Sequence, residues 1–413
     1  MKEEFIFDSC SAKSAHKIAY LFGRFPSFGQ TFCFREIAGM LDLKLQFPIF
    51  SVHTPKGEPP QDFPIQIKGL TTYLPENMKL WARRERWENE KWNLIKILKE
   101  RCQDKKVGRE IAWLVPILRE LEIHHLHAHF IGVAAHTAYL LKKTAGIRYS
   151  LTAHADDFWT NWTNFERKRV GKLFSEAEFI ATETDFSVQW LTERLPRYAH
   201  KIHRVYNGIF PDRFKRPKNL IDPPKILSVG RYIEKKGFSN LIKACAALDN
   251  EAFECLIVGE GRLKNTLKEQ VRRAGLEGKV FIVGPRSESE IAELLSRTSI
   301  FAFPCQTDQE GNMDNLPTVI MEAMCASVPV VATRLAGIPE MMIHGETGYL
   351  IDEGDHCALV AALRTLLRDV TVAKQMGERG RTLALKKFDI SKTVDALKSL
   401  FIRYGALSCE RTK

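Results

Sequence analysis

The stretch 299–352 constrains the fold of this 413-residue chain more than any other segment. An apolar run at 300–304 is followed by a polar loop, a helical pattern that opens at Pro317, and a second apolar run at 328–333. This order predicts a βαβ unit whose helix starts at the carboxyl edge of a parallel sheet. Pro317 suits the first helical turn, and Asn315 or Asp314 can cap its free N–H groups.

Two carboxylates flank the predicted helix start. Asp314 precedes it, and Glu322 lies about one and a half turns inside, where side chains lean back toward the helix N-terminus. A helix N-terminus is a ready site for phosphate, because its N–H groups are unpaired. A diphosphate on these amides, with hydroxyl-rich groups on the carboxylates, predicts a nucleotide sugar. A simple cap at Asp314 and a solvated Glu322 explain the same pattern without a ligand.

The spacing of the other apolar runs predicts two α/β domains. In the second half, runs that begin at 225, 253 and 280 precede the opening unit, with helical stretches between them, as right-handed crossovers require. The first half has a similar series, with runs at 17–22, 47–52, 148–154, 178–182 and 202–208. The polar, proline-rich stretch 211–224 is typical of an interdomain linker.

Two basic residues lie in the loop 230–237, at the sheet edge where the helix near Pro317 also starts. Arg231 can grip a phosphate bidentately, and Lys236 can add a point charge. Together with the helix terminus they could hold a leaving diphosphate without a metal. The alternative is that both cations are solvated surface groups.

Histidines stand at the ends of two predicted strands. His125, His127 and His129 alternate and therefore share one strand face, which suggests a metal site. No carboxylate or cysteine close by in the sequence completes such a site, so we expect packed neutral histidines and no metal. His154 ends a second strand, at a position suited to ligand contact.

A net charge of +11 and a pI near 9.1 favour acidic partners. The segment 76–106 interleaves tryptophan with basic residues at helical spacing, which suits either anionic lipid headgroups or an ordinary packed helix. Nucleic-acid binding would rest on charge alone and is not expected. The sequence has nine cysteines without a paired motif, no signal pattern and no apolar run long enough to cross a bilayer. These features predict a cytoplasmic protein, which would be peripheral at the inner face of the plasma membrane if 76–106 binds lipid.

Several motifs occur together in an order that resembles a known family. In the second half they are Val229-Gly230-Arg231 with Lys236-Gly237, then 258–261, 314–324, 337–340 and 345–348; in the first half they are 25–32, 127–130 and the strand that ends at His154. The chain resembles family 4 of the retaining glycosyltransferases, which have the GT-B fold. It is most similar to the branch that builds bacterial exopolysaccharides such as colanic acid.

The resemblance implies an α/β architecture of two Rossmann-like, doubly wound domains with parallel sheets that face each other across a cleft. The expected division is an acceptor-binding domain at 1–210, a nucleotide-sugar-binding domain at 211–390, and a C-terminal helix at 391–413 that packs back toward the first domain. The implied activity is that of a hexosyltransferase. It would move a hexose-type sugar, with retention and without a metal, from a UDP- or GDP-sugar to a hydroxyl of a glycan or lipid-linked acceptor in cell-surface polysaccharide biosynthesis.

The resemblance also implies roles for individual residues. Arg231 and Lys236 would bind the diphosphate, Glu322 the ribose, Asp314 the hydroxyls of the transferred sugar, and His154 the same sugar from the first domain. Further donor contacts are expected at Gly230, Gly259, Gly284, Asn315, Leu316, Pro317 and Thr318. Acceptor contacts are expected at Phe28, Gly29, Gln30 and His129.

Three positions depart from the family pattern. The chain has Asp314, Asn315 and Gln30 where the family usually has glutamate, glycine and glutamate, and these changes leave the donor sugar open. Two other functions stay compatible with the residues. One is a nucleotide-sugar epimerase of GT-B fold, which needs no acceptor, and the other is a non-catalytic module that binds nucleotide sugar or glycan.

Overall fold

The computed structural model describes residues 18–45, 47–57, 62, 67, 69–78, 105–154, 157, 159, 162–215 and 223–408. This part of the chain forms two domains, each built on one parallel β-sheet with helices on both faces. The predicted α/β class with two Rossmann-like domains is therefore confirmed. Most of the tryptophan-rich segment 76–106 lies outside the described residues.

The first domain contains a seven-stranded sheet. Its helices and strands, in chain order, are β1 (Ile18–Arg24), α1 (Thr31–Asp42), β2 (Ile49–His53), β3 (Thr71–Tyr73), α2 (Lys105–Glu120), β4 (His125–His129), α3 (Val133–Ala145), β5 (Arg148–Ala153), α4 (Asn164–Glu176), β6 (Ile180–Thr182), α5 (Asp185–Arg194) and β7 (Ile202–Arg204). The strand order is β3-β2-β1-β4-β5-β6-β7, so the direction of winding reverses between β1 and β4.

The second domain contains a six-stranded sheet. Its helices and strands are β8 (Lys225–Val229), α6 (Phe238–Ala246), β9 (Glu254–Val258), α7 (Lys264–Arg273), β10 (Val280–Val283), α8 (Glu288–Leu295), β11 (Ile300–Phe303), α9 (Thr318–Cys325), β12 (Val330–Thr333), β13 (Gly348–Ile351), α10 (His356–Arg368) and α11 (Val370–Phe388). The strand order is β10-β9-β8-β11-β12-β13, and the winding reverses between β8 and β11.

The central strands are apolar because both of their faces are covered. Every residue of β11 is buried, and β1 is buried over its first five residues. Continuous apolar runs of this kind are typical of parallel strands with helices on both sides. Ligands of such sheets bind at the carboxyl edge where the winding reverses. A ligand site is therefore expected at the two reversal points, β1/β4 and β8/β11.

The last helix, α12 (Ile390–Arg403), leaves the second domain and packs on α1 of the first. Backbone hydrogen bonds join Ile209 to Phe388 and to Ile390, at 2.8 and 2.9 Å, where the chain crosses between domains. The helix then lies on Gly39, where an added methyl would be 2.7 Å from the Ile390 side chain. Residues of α12 thus complete the apolar core on one face of the first sheet.

None of the described helices combines the length and the apolar character that spanning a bilayer requires. Lipid binding by the segment 76–106 stays a prediction, because residues 79–104 are not among those the structure describes.

Candidate active site

A cleft of about 550 Å³ separates the carboxyl edges of the two sheets. Its second-domain wall is formed by the loops after β8, β9, β10 and β11 and by the start of α9. Its first-domain wall is formed by the loops after β1, β4, β5, β6 and β7. Arg231, Lys236, Asp314 and Glu322 all line this one cleft. Four residues predicted from two separate stretches of sequence therefore meet at one place.

Most of the other predicted residues also line the cleft. They are His154, Phe28, Gly29 and Gln30 on the first domain and Gly230, Gly259, Asn315, Leu316, Pro317 and Thr318 on the second. His129 and Gly284 are not among its lining residues. Since His129 is wholly buried and contacts His154, an acceptor contact at His129 would have to act through His154.

Two lysines of the loop after β8 lie beside one carboxylate. Lys236 Nζ lies 2.9 Å from Asp314 Oδ1, and Lys235 Nζ lies 3.8 Å from the same oxygen. Arg231 is exposed on the cleft wall. The turn closes at Gly237, whose φ of +66° favours glycine. Lys235 was not among the predicted residues, and its sequence position beside Lys236 was the available signal.

The helix start differs from the prediction at three residues. Pro317 is the N-cap residue and precedes the first turn of α9, and neither Asp314 nor Asn315 caps the helix with its side chain. Asp314 is held by Lys236 instead, since a carboxylate gains more from an adjacent cation than from a neutral N–H group. The other oxygen of Asp314, Oδ2, is buried and has no hydrogen-bond partner among the described residues.

Asn315 connects the two domains. Its Nδ2 donates to Glu183 Oε2 at 3.1 Å and to Ser187 Oγ at 2.7 Å, and its Oδ1 accepts from Thr184 Oγ1 at 2.9 Å. The side chain is buried, so these three bonds satisfy an amide that could not otherwise leave water cheaply. The network explains why Asn315 cannot also serve as the predicted helix cap.

A second connection between the domains runs through Arg35 of α1, a residue that sequence analysis missed. Its guanidinium lies 2.7 Å from Glu322 Oε1 and 2.8 Å from Glu288 Oε2, and the side chain is 0% exposed. Burial raises the pKa of Glu322, Arg35 opposes that rise, and the charge of Glu288 adds to it, leaving the pKa above its ordinary value. Arg35 thus fixes the carboxylate predicted to bind ribose.

The histidines are joined in a buried chain of hydrogen bonds between two carboxylates. His154 Nδ1 donates to Glu183 Oε1 at 2.7 Å, and His154 Nε2 faces His129 Nδ1 at 3.2 Å. His129 Nε2 in turn donates to Glu36 Oε1 at 3.2 Å. Burial lowers the pKa of His154, but the hydrogen bond and charge of Glu183 outweigh burial, so the pKa stands above its ordinary value.

A cysteine and a carboxylate lie beside the histidines, contrary to the expectation from sequence. Helix α1 brings Glu36 to His129 and places Cys33 Sγ 3.6 Å from His129 Nδ1. The two other strand histidines are bonded to hydroxyls, His125 to Ser150 and His127 to both Ser150 and Thr152. The predicted common strand face is confirmed by these contacts.

Comparison with known proteins gives a consistent result. Residues 211–383 match the family model described as glycosyl transferases group 1. The amylovoran biosynthesis glycosyltransferase AmsK of Erwinia amylovora is 33% identical over 251 residues, which cover 59% of this chain and 61% of AmsK. The putative colanic acid biosynthesis glycosyltransferase WcaL of Escherichia coli K12 is 26% identical over 378 residues, 84% of this chain and 89% of WcaL.

Solved structures share the fold at low sequence identity. Sucrose-phosphate synthase from Thermosynechococcus elongatus has a TM-score of 0.72 and 17% identity, over 95% of this chain and 100% of the synthase. The Anabaena protein Alr3699/HepE, solved in complex with UDP and glucose, has a TM-score of 0.70 and 16% identity, over 94% of this chain and 100% of HepE. At these identities the comparison bears on the fold.

Proposed function

We propose that this chain transfers a hexose-type sugar, with retention, from a nucleotide-diphosphate sugar to a hydroxyl of a glycan or lipid-linked acceptor. The proposal rests on the match of residues 211–383 to the group 1 glycosyl transferases and on the similarity to AmsK and WcaL. The process would be the synthesis of cell-surface polysaccharide, as the names of AmsK and WcaL suggest for those relatives. The observation that carries the proposal is the single cleft in which cations, a helix start and two carboxylates meet.

The cations of the second domain would bind the diphosphate. Negative charge grows on this group as the sugar departs, and fixed donors aimed at developing charge lower the barrier most. Arg231, Lys235 and Lys236 lie with the α9 start on the same wall. Three cations at this place supply what a metal ion supplies in other enzymes, and we therefore propose transfer without a metal at the diphosphate.

The two carboxylates would bind the sugars on either side. Asp314 would offer Oδ2, which has no hydrogen-bond partner in the described part of the chain, to hydroxyls of the transferred hexose, while Lys236 holds the other oxygen. Glu322, fixed by Arg35, would accept hydrogen bonds from the ribose. This arrangement suits a UDP- or a GDP-sugar, as both carry the same ribose diphosphate.

The first domain would present the acceptor. Phe28, Gly29 and Gln30 line the cleft opposite the cations, and Gln30 Oε1 is buried without a hydrogen-bond partner among the described residues. His154 would contact the departing sugar. The leaving phosphate would take the proton of the attacking hydroxyl on the same face, which retains the configuration at the anomeric carbon.

We propose the domain division 1–210, 211–390 and 391–413 on the same grounds. The family match begins at 211, and the backbone crosses between domains where Ile209 pairs with Asp389. A cytoplasmic protein, peripheral at the plasma membrane through the segment 76–106, would meet a lipid-linked acceptor at the surface.

A donor screen followed by a transfer assay tests the proposal. We expect one class among UDP-, GDP- and ADP-sugars to raise the melting temperature, because a ligand at a hundred times its Kd stabilises by about 2.7 kcal/mol. The same donor should then yield product with a glycan or lipid-linked acceptor. An epimer formed without acceptor, or tight binding without turnover in any acceptor panel, would instead indicate one of the two alternative functions.

Variants of the cationic loop sharpen that assay. Lys236→Ala should lower kcat by roughly a hundredfold or more, the usual effect of removing one donor to a developing anion, and Arg231→Ala should act in the same direction. Lys268→Ala on the exposed face of α7 is the matched control and should leave kcat unchanged. Near-normal turnover in both cleft variants would overturn the assignment.

A further inference from the structure

We propose that Cys33, His129 and His154 form a Zn²⁺ site in the first-domain wall of the cleft, separate from the cations that face it. The three candidate ligand atoms, Cys33 Sγ, His129 Nδ1 and His154 Nε2, lie within 4.8 Å of one another. Cys33 and His129 are 0% exposed and the His154 side chain is 4% exposed, and His154 alone of the three lines the cleft.

Two of the three distances between the ligand atoms match a tetrahedral ion. Zn–N bonds of about 2.05 Å and Zn–S bonds of about 2.3 Å place two nitrogens about 3.3 Å apart and a nitrogen and a sulfur about 3.6 Å apart. The structure has 3.2 Å between His129 Nδ1 and His154 Nε2, and 3.6 Å between His129 Nδ1 and Cys33 Sγ. The third pair, Cys33 Sγ and His154 Nε2, lies within 4.8 Å, so closing that pair is the adjustment that an ion would require.

Hydrogen bonds to two carboxylates set the direction of both rings. Because a carboxylate accepts, Nδ1 of His154 carries its hydrogen toward Glu183, and Nε2 of His129 carries its hydrogen toward Glu36. In the neutral rings, the two remaining nitrogens therefore carry no hydrogen, and their lone pairs face each other. Lone pairs that converge need a positive group between them, either a proton or a metal ion.

The surroundings are those of a metal centre rather than of a single stray contact. A histidine ligand usually donates its other ring N–H to a carboxylate, which fixes the tautomer and raises the basicity of the ligand nitrogen. Here both histidines do so, and Glu36 is itself held by the Tyr20 hydroxyl at 2.9 Å. The rings of Phe32 and Phe130 lie 4.7 and 4.4 Å from the His154 ring and shield it from water.

A thiolate with two imidazoles selects Zn²⁺ or a similarly soft ion over Mg²⁺ and Ca²⁺. On binding, the thiol proton of Cys33 passes to solvent, and three protein ligands leave a fourth position for water or a molecule in the cleft. The bound ion would occupy Nε2 of His154, the residue proposed to contact the sugar. Zinc should therefore inhibit sugar transfer, and this consequence rests on the proposed function.

Metal binding can be measured without any transfer assay. Equilibrium dialysis of the full chain against Zn²⁺ should show one tight equivalent, and Co²⁺ should give the thiolate charge-transfer absorption and the intense visible bands of a tetrahedral ion. Cys33→Ser should abolish the charge-transfer band and weaken Zn²⁺ binding by roughly a hundredfold. Cys357→Ser, at an exposed cysteine, is the matched control and should change neither result.

A second pair of measurements separates a metal site from a structural role of Cys33. Cys33→Ser and Cys33→Ala should both keep a cooperative thermal transition, and Zn²⁺ should raise the melting temperature of the wild type alone. In the transfer assay, Zn²⁺ should inhibit the wild type, and Cys33→Ser should resist it while retaining its basal rate. Equal Zn²⁺ binding by wild type and Cys33→Ser, or no tight equivalent in the wild type, would overturn the proposal and leave a shared proton between the two rings.

Discussion

Replacing Arg35 with methionine should reveal how much the buried ion cluster contributes to holding the two domains together. The guanidinium lies between Glu288 and Glu322, whose side chains are 7% and 6% exposed, and it has no access to water itself. Methionine keeps most of the apolar volume but removes the charge. Removing one partner of a buried ion pair costs about 3 to 5 kcal/mol, because the remaining charge stays out of water.

A cost of this size is a large fraction of the 5 to 15 kcal/mol by which folded domains are typically stable. Glu288 still has Arg213 as a partner in the variant, so most of the loss should arise at Glu322. Opening of the cleft would hydrate that carboxylate. We therefore expect a lower unfolding midpoint together with weaker binding of the nucleotide sugar.

The pH dependence follows from the pKa of Glu322. Burial already raises this pKa above the ordinary 4.5, and loss of Arg35 removes the charge that opposes the rise. A carboxyl whose folded-state pKa is raised destabilises the fold as pH increases above its unfolded value, and protonation relieves it. The loss of unfolding free energy in Arg35→Met, relative to the wild type, should thus be smaller at pH 5 than at pH 8.

The assay is urea unfolding of wild type and Arg35→Met at both pH values, with donor affinity measured by calorimetry. Arg297→Met is the control, because Arg297 is 62% exposed and its ion pair with Glu293 should contribute less than about 1 kcal/mol. Adding Glu322→Gln to Arg35→Met should restore part of the stability by removing the stranded charge. A deficit below about 1 kcal/mol at pH 8, or one equal at both pH values, would refute this account of the cluster.

Two further predictions concern the cleft wall. Gly237→Ala should lower the thermal unfolding midpoint by more than Gly275→Ala. The two glycines share a φ near +65°, but only at 237 would the new methyl collide with the Pro304 carbonyl. Equal losses of stability in the two variants would contradict this reasoning. Asn315→Ala should lower the free energy of unfolding by about 1 to 3 kcal/mol, because Glu183 and its hydroxyl neighbours lose their amide partner. Asn265→Ala, on the exposed face of α7, is the control and should change it little. An unchanged free energy of unfolding in Asn315→Ala would show that the network does not join the domains.

The fold and half of the site were accessible from sequence because parallel α/β units follow a general rule. Strand, loop and helix alternate, and the loops at the carboxyl ends of strands meet at one edge. Arg231, Lys236, Asp314 and Glu322 each stand on such a loop or on the first turns of the helix after it, so their convergence in one cleft could be inferred from spacing alone.

Contacts across the cleft could not be inferred in the same way. Arg35 pairs with carboxylates 253 and 287 positions away, and no local pattern in its helix indicates these partners. The contacts of Cys33 and Glu36 with His129 also join residues that are distant in the sequence and could not be predicted from a local pattern. The predicted helix cap was wrong because both residues bind other partners. Asp314 binds a lysine and Asn315 binds an interdomain network, and local rules on capping include neither.

The return of α12 to the first domain has a consequence for the order of folding. Apolar residues of α1, among them Ile37 and Met40, share a core with Val394 and Phe401 of the last helix. A ribosome must therefore synthesise the entire second domain before the first can finish its own interior. A fragment ending at residue 210 would leave that face of α1 open to water, whereas tethering residues 389–408 to it should supply the missing cover.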